Sequence, residues 1–175
     1  MSEMTLRSRQ PGCSIRRPCA VCKPPLEGGA LSGEANKALV RRFYEEIDKG
    51  NLAAMDELVA ENYIDHSPPP FPGLSSGRAG LKQAFEIFWV ATPGRHDIED
   101  QIAEGDKVVA RIRVTGRHEA DLPGISKTGN KLETTATVIH RIEDGMLAEK
   151  WSNKDELGFL QQLGVIPTPG GAPSS

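Results

Sequence analysis

The sequence predicts an α+β domain in which helices come first and an antiparallel sheet follows. Three observations carry this expectation. Up to Ala91 the apolar residues recur at three and four, the spacing of one buried helical stripe. Beyond Pro93-Gly94 they recur at two, the spacing of half-buried strands. Asp144-Gly145 then separates two such strands, and this dipeptide suits a tight hairpin because both positions tolerate positive φ. Helices packed on one face of a strongly bent sheet leave a conical hollow at its open end.

Each element follows from local pattern. Residues 34–49 place Leu39, Val40, Phe43 and Ile47 on one helical face, and Gly50 ends the helix. Asn51 caps a second short helix that turns Leu52, Met55, Leu58 and Val59 inward. Residues 63–66 run into Ser67-Pro68-Pro69-Pro70-Phe71-Pro72-Gly73, where serial prolines forbid helix and central strand alike. A stiff surface loop, placed to act as a lid, is expected there. Residues 80–91 form a third helix with Leu81, Ala84, Phe85, Phe88 and Trp89 on its core face. The long strands are residues 95–103, 107–118, 131–142 and 146–153, and a last helix over residues 155–163 covers part of the mouth.

Composition bounds the rest. At 175 residues, 38% hydrophobic and 26% charged, the chain matches ordinary globular proteins with one core. Residues 1–33 read as a disordered arm, because they are rich in Pro, Gly, Ser and Arg and show no periodicity. Residues 34–166 form the folded domain and residues 167–175 a frayed tail. The arm carries Arg7, Arg9, Arg16, Arg17 and Lys23 against only Glu3 and Glu27, so the body is more acidic than the net charge of −3 suggests. With no basic stripe interleaved with aromatics, nucleic acid is not an expected partner. No apolar run of about 18 residues exists, so no membrane span is expected. Arg16-Arg17 lacks the apolar stretch of an export signal. Cys13, Cys19 and Cys22 all lie in the arm, too few ligands for a tetrahedral metal site, and reduced thiols in a cytoplasmic protein are expected.

The most telling stretch is residues 138–164, V-I-H-R-I-E-D-G-M-L-A-E-K-W-S-N-K-D-E-L-G-F-L-Q-Q-L-G, which reads as strand, turn, strand, helix. His140, Arg141, Asp144, Gly145, Glu149, Trp151, Asp155, Gly158 and Gln162-Leu163-Gly164 fit the pattern H-R-x-x-D-G-x-x-x-E-x-W, then x-x-x-D-x-x-G-x-x-x-Q-L-G. The segment resembles the SnoaL-like polyketide or ester cyclases of the nuclear-transport-factor-2-like superfamily, over about residues 36–166. The resemblance implies a cone-shaped α+β barrel with three helices ahead of the sheet. The middle departs from the family: its G-T-H-x-G and G-I-P-P-T-G-K stretches appear as Gly116-Arg117-His118-Glu119-Ala120 and Gly124-Ile125-Ser126-Lys127-Thr128-Gly129-Asn130-Lys131, without the prolines.

Alternation along strands indicates which polar groups share the cavity. Val108, Ala110, Ile112 and Val114 are in phase with His118, and Ala136, Val138 and Ile142 with His140, so both imidazoles are expected inside. Leu147, Glu149, Trp151 and Asn153 are in phase on the last strand, with Asp155 next at the helix start, unless a bulge shifts them. Asp155 has two readings. Burial against Trp151 and Phe159 would raise its pKa toward that of a general acid, whereas an Asn153-x-x-Glu156 capping box would leave it a helix-end carboxylate. His66, Trp151, Asn153, Phe43 and Phe88 are expected to line the substrate space. His96 reads as solvent-facing. Arg141, Glu143 and Thr137 fall on the outer sheet face, where related proteins pair as dimers, so a homodimer is expected.

The resemblance implies cofactor-free chemistry on a small apolar or polyketide-like ligand: an aspartate removes a proton from an activated carbon and protonates the attacked carbonyl, an intramolecular aldol addition. That role falls on Asp155, with His118 and His140 orienting substrate or stabilising the enolate oxygen. The alternative is a noncatalytic binding or dimerisation module of the same fold. An epoxide-hydrolase-like site is disfavoured because Arg111 and Arg113 have no aspartate on their strand. A ketosteroid-isomerase-like site fails because Phe43 occupies the tyrosine position and Tyr44 is one residue out of phase.

Overall fold

The computed structural model describes residues 32–168 and residue 170. The arm, its three cysteines and most of the tail lie outside the described residues. Helix α1 (Gly33–Asp48) begins at Ser32, whose Oγ accepts from the Ala35 N–H at 3.3 Å. It ends at Gly50, which has φ of +73° and receives the Trp89 indole so closely that a Cβ would touch the ring. A single 3-10 turn (Leu52–Ala54) and helix α2 (Met55–Leu58) lead into strand β1 (Val59–Asp65). This strand starts earlier than the pattern suggested, because Val59 continues the apolar run of α2 and hides the boundary. The proline segment follows as a loop, and helix α3 (Gly77–Ala91) buries Gly80, Leu81, Ala84 and Ala91. Trp89, expected in the core, is instead 38% exposed.

Strands β2 (Gly94–Glu104), β3 (Lys107–Arg117), β4 (Lys131–Glu143) and β5 (Met146–Lys154) follow as a meander, closed by helix α4 (Glu156–Gln162). The sheet order is β1-β5-β4-β3-β2. β1 runs parallel to β5 and every other pair is antiparallel. The β4–β5 hairpin turns on Asp144 and Gly145, with φ of +50° and +76°, as the dipeptide predicts.

Two apolar clusters fill the molecule. The larger unites Val40, Phe43, Tyr44 and Ile47 of α1 with Val108, Ala110 and Ile112 of β3 and Val138 and Ile142 of β4. The smaller joins Ala91, Leu122, Leu132 and Leu163, with Phe71 and Phe88 packed against it. Phe71 of the proline loop meets Phe88 at 5.0 Å between ring centroids, so the loop is anchored by an aromatic contact. No helix among the described residues is long and apolar enough to cross a membrane.

One irregularity governs the site. Arg141 pairs with Glu149 but Ile142 pairs with Leu147, so Ala148 is an extra residue in β5. Beyond it the alternation reverses. Leu147 points inward, Glu149, Trp151 and Asn153 point to the outer face, and Lys150, Ser152 and Lys154 take the inner positions opposite His140, Val138 and Ala136.

Candidate active site

The two histidines are inside as parity requires, each 0% exposed, but they do not meet. His140 lies opposite Val108, whereas His118 lies just past the other end of β3. At about 3.3 Å per residue the intervening strand spans roughly 30 Å. Asp155 sits between these levels, its N–H donating to the Thr135 carbonyl at 3.0 Å. The expected convergence of His118, His140 and Asp155 is therefore corrected, because parity fixes a face and leaves the position along the strand open.

Each has its own local task. His118 Nδ1 accepts from the Thr128 N–H at 3.2 Å and lies 3.0 Å from its hydroxyl, while the His118 backbone bonds Asn130 and Gly129. It fastens the loop between β3 and β4. Asp155 is exposed and caps α4, its Oδ1 accepting from the Gly158 N–H at 2.9 Å. The cap is thus Asp155 itself, in place of Asn153. His140 shares a 3.1 Å hydrogen bond through Nε2 with the Tyr44 hydroxyl and touches the Phe43 ring at 5.9 Å. Burial foremost, and then the Lys150 charge, push its pKa down to about 3.

The expected substrate-lining set divides. Phe43 is in the main core and Phe88 against the smaller cluster. Trp151 and Asn153 are turned outward by the bulge. His66 joins Trp151 outside, stacked at 4.4 Å with rings 4° from parallel. His66 Nε2 lies 2.7 Å from Glu149, which also pairs with Arg141 at 2.6 Å, and these two partners hold the Glu149 carboxyl below the usual range.

What the inner face does gather is a seam of polar groups around His140. Asp65 of β1 is paired in register with Lys150, and their side chains form a 2.7 Å ion pair, each 14% exposed. Tyr63 lies two residues before Asp65 on the same face. Its hydroxyl and the Ser152 hydroxyl are buried without a partner among the described residues. Burial, then Asp65, raises the Tyr63 pKa, and burial, then Asp48 and Asp65, raises that of Tyr44. Both phenols stay neutral hydrogen-bond donors. Tyr63 also helps line a cleft of about 650 Å³ between β1 and the start of α3, with Arg78 and Lys82 on its wall.

A second polar centre lies on the other side of Tyr44. His96 of β2, opposite Val114 on the inner face, binds Asp48 through Nδ1 at 2.6 Å. It is only 18% exposed, which corrects the solvent-facing expectation. Sequence reasoning passed over Asp65, Lys150 and Asp48 and turned His96 to solvent. His96 is in phase with inward Ile98 and Asp65 with Tyr63, so parity could have found them; Lys150 could not be found, because the Ala148 bulge leaves no mark in the sequence. No three His, Cys, Asp or Glu side chains cluster as metal ligands among the described residues.

Helices before a bent meander, with acid and base groups lodged in its apolar interior, define a cone-shaped α+β protein of the nuclear-transport-factor-2-like kind. The chain belongs to the SnoaL-like polyketide cyclase family, whose model matches residues 38–163. It is 28% identical over 140 residues to the aklanonic acid methyl ester cyclase DnrD of Streptomyces peucetius, covering 76% of this chain and 94% of the relative. The corresponding cyclase DauD of Streptomyces sp. strain C5 shows the same identity, with 84% of its length covered. Among solved structures, TsrD of Streptomyces laurentii superposes with a TM-score of 0.70 at 27% identity, over 78% of this chain and 99% of TsrD. A polyketide cyclase-like protein of Bacillus cereus gives a TM-score of 0.64 at 34% identity, over 75% and 82% of the two chains.

Proposed function

We propose that this chain is a cofactor-free cyclase that closes a ring in a polyketide-type methyl ester by intramolecular aldol addition, inside the seam bounded by α1, β1, β4 and β5. The observation that carries this reading is the inner row Asp65–Lys150–His140 with two unpartnered hydroxyls beside it. The relatives named as aklanonic acid methyl ester cyclases support the substrate class. In the reaction a proton leaves the carbon activated by neighbouring carbonyls, that carbon attacks a second carbonyl, and the resulting alkoxide is protonated. The Lys150 ammonium and the Tyr63 and Ser152 hydroxyls are suited to hold the enolate oxygen, since donors fixed in a dry site need no reorganisation. The cleft of about 650 Å³ that Tyr63 helps line is the space in which the chain would be held folded, which supplies much of the remaining acceleration. The acid–base role expected of Asp155 passes to inward groups.

The test uses aklanonic acid methyl ester with three proteins. The wild type is expected to cyclise it, and Asp155→Asn to retain turnover. Tyr63→Phe is expected to lose about 100-fold in kcat, the usual effect of deleting one such donor, without loss of stability, because it removes a buried hydroxyl that has no partner. Loss in Asp155→Asn with full activity in Tyr63→Phe would place the chemistry at α4 and refute the seam.

We further infer a homodimer through the outer sheet face. Ile102, Val109, Ile139 and Trp151 are aligned by register across β2 to β5, and Ile102 is 64% exposed. An apolar row of this kind marks a contact surface. Ile139→Arg is expected to give monomers in sedimentation, whereas a monomeric wild type would contradict the assignment.

A further inference from the structure

We propose that His96, held by Asp48, is the base that takes the proton from the activated carbon; this rests on the enolate chemistry proposed above and assigns its first step. The carboxylate of Asp48, at the end of α1, grips one residue twice. Its Oδ1 accepts from the His96 ring at Nδ1, 2.6 Å away, and its Oδ2 accepts from the His96 backbone N–H at 2.8 Å. A contact that only tied α1 to β2 would need no more than the backbone bond. The ring bond fixes the tautomer: with the proton on Nδ1, Nε2 carries a free lone pair. No hydrogen bond to Nε2 forms among the described residues, and the ring is walled by Tyr44 at 5.1 Å and Phe85 at 6.4 Å. Arg95 and Asp97, its neighbours on β2, pair with each other, so Asp48 is the charge committed to His96. Tyr44 bridges this dyad to the seam, because its hydroxyl bonds His140.

The step balances within these groups. The C–H bond breaks, its proton goes to Nε2, and the electron pair becomes the enolate whose oxygen faces the seam donors. Asp48 stabilises the imidazolium without taking the proton. The C–C bond then forms, the carbonyl pair moves to oxygen, and the imidazolium returns its proton to that alkoxide.

Proton removal can be read without ring closure. The probe is methyl 3-oxooctanoate in deuterated buffer, with loss of its C2 proton signal followed by NMR. The wild type is expected to exceed the buffer rate. His96→Gln is expected to lose about 100-fold or more of that excess, and Asp48→Asn a comparable amount because the tautomer is released. Nitrogen shifts of the wild-type imidazoles are expected to show His96 protonated at Nδ1, a measurement that stands if a variant does not fold. Exchange at the wild-type rate in folded His96→Gln, a wild type no faster than buffer, or a proton on Nε2 would overturn the assignment. A wild type that exchanges the probe yet closes no ring would sink the cyclase reading and leave the dyad as a base.

Discussion

His140 shows how burial sets the chemistry a residue can perform. Its pKa is pushed down to about 3, so at neutral pH it is a neutral partner of Tyr44 and no acid. The same depression makes it a liability in acid. A folded-state pKa below the unfolded value of about 6.5 means the unfolded chain binds the proton first, so stability is lost as pH falls below about 6.5. From pH 7 to 5 this one group costs about 2 kcal/mol, read as the difference between wild type and His140→Gln in urea unfolding at the two values. Asp155 makes the opposite case, an exposed carboxylate whose visible role is structural. Asp155→Ala is expected to destabilise by about 1 kcal/mol through loss of the α4 cap, measured by thermal unfolding. Alternation identified both buried histidines, since the inward rows of β3 and β4 contain no bulge beside them. It could not tell that they lie at opposite ends of a long strand pair.

At the scale of elements, the junction between β1 and β5 carries the site. Two separate parts of the chain meet there in parallel, and the Ala148 bulge decides that Lys150 rather than Glu149 faces inward. Glu149 inside would confront Asp65, like against like. Because Lys150 and Asp65 are both largely buried, removing one partner strands the other: Lys150→Met is expected to cost about 3–5 kcal/mol, with Lys150→Met/Asp65→Leu recovering most of it. Denaturant unfolding of the single and double variants checks this. Helix and strand identities were legible from periodicity and from Asp144-Gly145. The start of β1 was not, since Val59 belongs equally to the apolar stripe of α2, and the outward turn of Trp151 was not, since a bulge adds one ordinary residue.

For the whole molecule, the order of helices before a bent meander and the C-terminal motif were enough to place the chain in its family. The site needed the three-dimensional pairing of distant segments: Tyr44 and Asp48 on α1, Asp65 on β1, His96 on β2, His140 on β4 and Lys150 on β5 come from nearly the full length of the domain. What they form is a polar seam around His140 and a His96–Asp48 dyad joined to it through Tyr44, both separate from the loop fastened by His118 and from the cap of α4. Titration of the labelled protein with a polyketide methyl ester, followed residue by residue by NMR, tests this most directly. The largest shifts are expected on Tyr63, His96, Lys150 and Ser152. Shifts confined to residues 118–130 and α4, with those four unmoved, would contradict it.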